Sequence, residues 1–125
     1  MRQTPLETLN QIAQAVYDKK GFNILALDVR NISSITDYLL IAEGNVDRHV
    51  SAIAHAIMGE VEEHPLHVEG LESGDWVVID YGNVIIHLFQ PGFRDKYSLE
   101  KLWQEGAIVD LEIDVAGRAV GDSKQ

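Results

Sequence analysis

The stretch "DWVVIDYGNVIIHLF", residues 75–89, constrains the fold more than any other part of this chain. Gly82-Asn83 stands between two runs rich in Val and Ile, which is the signal for a two-residue β-hairpin loop. That loop predicts a register. Tyr81 pairs with Val84, Asp80 with Ile85, Val78 with His87 and Trp76 with Phe89. Because side chains alternate along a strand, one face carries Val77, Ile79, Tyr81, Val84, Ile86 and Leu88 and should lie under helices. The other carries Trp76, Val78, Asp80, Ile85, His87 and Phe89. An unpaired carboxylate is costly to bury, so the second face is expected to be wet or to meet a partner. Aromatic residues beside a few polar groups are enriched at interface centres.

Other elements are built around this hairpin. "TPLETLNQIAQAVYDKKG" predicts a first helix, with Thr4 as N-cap, Pro5 at the first helical position and Glu7 closing a capping box. Leu6, Leu9, Ile12, Ala13 and Val16 recur at helical spacing, and Gly21 is the expected stop. Residues 22–29 and 38–44 predict two strands apolar on both faces. The short polar loop between them favours an antiparallel pair. A second helix follows, with Asp47 as expected N-cap and a stripe of Val50, Ile53, Ala54, Ile57 and Val61. Residues 65–70 predict a short strand, and "SLEKLWQEG" (98–106) a short last helix. After it comes an alternating, strand-like piece that should fray. The order is αββαβββα, an α/β chain of the α+β kind with a mixed five-stranded sheet and helices packed on it.

At 125 residues the chain predicts one domain, placed at 1–110, with 111–125 as a frayed tail. It has no cysteine, which excludes disulfides and thiolate chemistry. No apolar run reaches the length of a membrane span, and the amino terminus lacks the apolar centre of a secretory signal. The expected compartment is the cytoplasm. Twenty acidic residues against ten basic ones give a net charge of −10. Such a chain repels phosphate backbones and carries no Lys/Arg cluster to offset this, so direct DNA binding is not expected. A basic partner, or solubility alone, accounts for the charge.

Three constellations carry possible chemistry. His64 and His67 form H-x-x-H, but without a cysteine partner or an HExxH context they read as surface histidines or, at best, part of a metal-dependent hydrolase. His87 and Asp80 share a face and suit a base and its partner, yet no nucleophile lies near them in sequence. Asp28 and Asp37 flank adjacent strand ends and would suit magnesium in phosphoryl chemistry. Against this, "DVR" puts Arg30 where a second carboxylate would help, and no Gly-rich phosphate loop precedes a helix.

The pieces "LDVRNISSITDYLLIAEGNVDRHVSAIAHAI", "VEG...DWVVIDYGNVIIHLF" and "FRDKYSLEKLW", within residues 25–103, resemble the Iojap-related family, the ribosomal silencing factors. The resemblance implies a mixed sheet with helices, distantly similar to nucleotidyltransferases. It implies a repressor of translation without enzymatic activity or cofactor. Such a factor binds ribosomal protein fourteen of the large subunit and blocks joining of the small subunit, and it is often a homodimer. Carried onto this sequence, the motif points to Trp76, Asp80 and Tyr81, with His87, Phe89, Arg94 and Tyr97, as partner-binding residues. The alternative reading is a divergent magnesium-dependent nucleotidyltransferase using Asp28 and Asp37.

Overall fold

A computed structural model describes residues 3–92 and 105–115. Helix α1, Pro5–Asp18, starts as expected. The Thr4 hydroxyl accepts from the Glu7 amide at 3.1 Å, and the Glu7 carboxylate accepts from the Thr4 amide at 2.9 Å. These reciprocal bonds satisfy two amides that a helix start leaves without intrahelical partners. The helix ends one residue earlier than a glycine stop would give. Lys20 takes the left-handed conformation (φ 67°). Gly21 serves a different need, since a Cβ there would lie 2.5 Å from Cγ1 of Val16.

Strands β1 (Phe22–Asp28) and β2 (Tyr38–Glu43) pair antiparallel, with Asp28 opposite Tyr38. Helix α2, Asp47–Glu60, follows. The expected Asp47 cap is corrected. Val46 is the N-cap residue, and Asp47 is the first helical residue, its carboxylate accepting from the Arg48 amide at 2.8 Å. His49 braces the helix entry instead. Its Nδ1 accepts from the Asn45 amide at 2.9 Å, and its Nε2 lies 2.8 Å from the Lys19 carbonyl at the end of α1. Strands β3 (His67–Glu69), β4 (Trp76–Asp80) and β5 (Val84–Phe89) complete the central part.

Among the described residues the sheet has six strands rather than five, in the order β3-β4-β5-β2-β1-β6. The added strand β6, Ala107–Ile108, pairs antiparallel with Leu27 and Asp28. Strands β2 and β5 run parallel, with Leu40 opposite Ile86. This pairing brings the hairpin against the most buried strand, in which all six residues are buried. Both helices pack on one face of the sheet. Leu9, Ile12, Ala13 and Val16 of α1 and Val50, Ile53, Ala54 and Ile57 of α2 meet Leu40, Val77, Ile79, Ile86 and Leu88. The expected third helix falls largely on residues outside those described.

The chain after β6 stays extended and alternates. Val109, Leu111 and Ile113 pack against the helix-side core. The Glu112 amide donates to Asn10 at 2.8 Å, the Asp114 amide donates to Oε1 of Gln14 at 2.6 Å, and Nε2 of Gln14 donates back to the Asp114 carbonyl at 3.0 Å. The segment expected to be tail therefore begins with residues 111–115 docked along α1.

Candidate partner-binding face

The hairpin register is the expected one: Trp76 faces Phe89, Val78 faces His87 and Asp80 faces Ile85. The helix-side set of Val77, Ile79, Val84, Ile86 and Leu88 is fully buried. On the opposite face Trp76, His87 and Phe89 form a stack. The Trp76 ring lies 5.4 Å from Phe89 at 19° and 5.8 Å from His87 at 29°, and His87 and Phe89 are 6.2 Å apart at 10°. A hydrogen bond locks the diagonal pair, the Trp76 indole N–H donating to Nδ1 of His87 at 3.0 Å. The neutral imidazole then carries its proton on Nε2. Burial disfavours the charged ring and holds its pKa down to about 4.

The face expected to be wet or to meet a partner is partly covered by the chain itself. Phe89 is fully buried, while Trp76, Val78, Asp80, Ile85 and His87 are partly covered. The reason is the neighbouring strand. Parallel pairing sets Leu39 beside Ile85 and Ile41 beside His87. Leu27, Val29, Leu39, Ile41 and Phe89 then form a second apolar cluster, with Leu25, Trp76 and Ile85 packed against it. The sequence reading missed Leu25, Leu27, Leu39 and Ile41 as members of this face. Strands apolar on both sides give no sign of which side goes where.

Other candidates are placed as follows. Asp80 does not pair with His87. Its carboxylate accepts from the Gly82 amide at 2.7 Å and so shapes the hairpin turn. Tyr81 belongs to the helix side, where it packs against the main core with its hydroxyl buried and lacking a hydrogen-bond partner. Burial, then the Glu63 charge, raises its pKa. Arg94 and Tyr97 lie outside the described residues. Asp28 is engaged by Arg30 through three bonds, Nε to Oδ1 at 2.9 Å, Nη2 to Oδ2 at 2.6 Å and the backbone amide to Oδ1 at 3.0 Å. That guanidinium holds the Asp28 carboxyl below its usual pKa. His67 pairs with Glu69 at 2.7 Å, both exposed, and His64 is exposed. Among the described residues no group of three or more His, Asp or Glu is placed to hold a metal ion, and no helix is long and apolar enough to cross a membrane.

The backbone under Trp76 is set by a glycine. Gly70 has φ +86°, and a Cβ there would stand 2.0 Å from the Trp76 carbonyl oxygen. Gly70→Ala should therefore destabilise the fold, by about 1–3 kcal/mol for the strained conformation alone. A lower urea midpoint with unchanged slope checks this. An unaltered midpoint would refute the role of this close approach.

A mixed α+β domain has thus been built, with two helices on one face of its sheet and a partly covered aromatic ledge on the other. The family model described as ribosomal silencing factor during starvation matches residues 2–125. The chain belongs to that family. Ribosomal silencing factor RsfS of Bacillus subtilis is 42% identical over 103 residues, covering 80% of this chain and 87% of the relative. A crystal structure of a protein from Chromobacterium violaceum superposes with a TM-score of 0.78 at 31% identity, over 91% of this chain and 97% of the other. One from Bacillus halodurans gives 0.73 at 39% identity, over 84% and 98%.

Proposed function

We propose that this protein binds the large ribosomal subunit through its ribosomal protein fourteen, keeps the small subunit from joining, and so represses translation in the cytoplasm without catalysing a reaction. The observation that carries the reading is membership of the silencing-factor family over nearly the whole chain. The electrostatics agree. A net charge of −10 is poorly suited to rRNA but suits a basic ribosomal protein. The aromatic ledge of Trp76, His87 and buried Phe89 supplies the kind of anchor on which interfaces depend. Arg94 and Tyr97 belong to the same proposed contact set; Tyr81, on the helix side of the hairpin, would join it only from the edge of the turn. A homodimer is the proposed resting form, without direct DNA or membrane binding. The nucleotidyltransferase alternative is disfavoured by the bidentate Arg30 contact, which occupies the Asp28 carboxylate that magnesium would need.

The test is co-sedimentation of pure protein with purified large subunits, followed by subunit joining read by light scattering. Binding and blocked joining are expected, with association slowing as salt rises, because steering is screened beyond about 8 Å at physiological ionic strength. Failure to sediment with large subunits, or binding that leaves joining intact, would overturn the proposal.

A further inference from the structure

Resting on the reading that the Trp76 ledge meets the ribosomal partner, we propose that His87 is a positioning residue, whose Nδ1 holds the Trp76 indole in its binding orientation. The geometry makes the case. Trp76 lies on β4 and is half-buried, so its ring must be fixed by neighbours rather than by complete enclosure. Phe89, opposite it on β5 and fully buried, backs the ring at 5.4 Å by stacking, a contact with no hydrogen-bonding direction of its own. His87, two residues earlier on β5, adds a directional contact. Its Nδ1 receives the indole N–H at 3.0 Å, and that bond sets the rotation of the ring about its side-chain axis.

The job needs a particular side chain. The acceptor must be sheltered enough for water to compete poorly, and must not become a donor at neutral pH. A partly covered histidine, flanked by the Trp76 and Phe89 rings and carrying its proton on Nε2, meets both needs. It also stacks beside the indole at 29°, so one residue supplies both the acceptor and a wall. An anchor fixed before binding loses less freedom on association, which is the general advantage of preorganisation. His87 thus acts on binding through Trp76, whatever contact it makes itself.

The experiment compares His87→Leu, His87→Gln and Trp76→Ala in the full chain. Affinity for purified large subunits is measured alongside nitrogen-15 NMR of the indole N–H, with Trp103→Phe used to assign the Trp76 signal. In the unsubstituted protein a coupling across the bond from indole nitrogen to His87 Nδ1 is expected. His87→Leu should abolish it and weaken binding about five- to tenfold, the value of one side chain left to be ordered on association. His87→Gln keeps an acceptor and should recover most of the affinity. Equal losses for the Leu and Gln variants, or normal binding by His87→Leu while Trp76→Ala binds weakly, would overturn the positioning role and leave the ledge in place. Normal binding by Trp76→Ala would instead overturn the ledge itself. If His87→Leu does not fold, the coupling in the unsubstituted protein and the affinity of His87→Gln decide, and absence of the coupling refutes the proposal.

Discussion

Between pH 6.5 and pH 4 the fold should lose about 3 kcal/mol of stability through His87 alone. In the unfolded chain this histidine takes a proton near its ordinary pKa of 6.5, whereas in the folded protein burial delays protonation to about 4. Within that window the unfolded state binds more protons, so lowering the pH favours unfolding. The stabilisation is complete above about 6.5, falls as the pH drops, and levels off below about 4. A gap of about 2.5 pKa units at roughly 1.4 kcal/mol each gives the size of the effect. The check is urea denaturation at a series of pH values for the unsubstituted protein and His87→Gln, with the difference between the two curves isolating this group. Asp28, whose carboxyl sits below 3.8 in the folded state, contributes a separate loss at lower pH and is common to both proteins. Parallel curves from pH 7 to 4 would show that His87 does not couple to folding.

Trp76→Ala and Ile86→Ala should separate binding from stability. Trp76 is half-buried on the aromatic ledge, and truncating an interface anchor costs about 2 kcal/mol or more, roughly thirtyfold in affinity for the large subunit. Ile86 lies on the same hairpin but faces the helices, fully buried with Leu40 beside it. Ile86→Ala should cost about 2–5 kcal/mol of folding stability through lost contacts and the cavity left behind. Its folded molecules should nonetheless bind nearly normally, because the ledge is untouched. Large-subunit co-sedimentation and thermal melting on the same preparations read both effects. Normal binding by Trp76→Ala would move the partner surface elsewhere. A binding defect in folded Ile86→Ala equal to that of Trp76→Ala would show that the two faces are not independent.

Local chemistry makes much of this fold legible in the sequence. The capping box at Thr4 and Glu7, the helical stripes and the hairpin register were readable because each is set by residues within a few positions of one another. A two-residue Gly-Asn loop leaves one natural pairing, and that pairing assigns every side chain of β4 and β5 to a face. The family resemblance, carried by "TDY" and "DWVVIDYGNVIIHLF", likewise lay in the primary structure and is shown over the chain. The contact surface it implies rests on that resemblance together with the ledge geometry, and the binding experiments above address it.

What the sequence alone determined, then, was the local elements and which sides of the hairpin are apolar. Only the tertiary structure decided what lies beside those sides. Parallel pairing of β2 with β5 joins segments separated by a helix and two strands, and nothing in a strand buried on both faces states its neighbour. That pairing buried Phe89 and made the face expected to be wet or to meet a partner into a partly covered ledge over a second apolar cluster. Side-chain partners were equally out of reach. Asp80 chose the Gly82 amide over His87, and His87 chose the indole of Trp76, because hydrogen bonds follow distance and direction in space rather than shared strand faces. Ala107–Ile108 became a sixth strand for the same reason: two residues are too few to signal pairing on their own, and the exposed edge of β1 supplies the template.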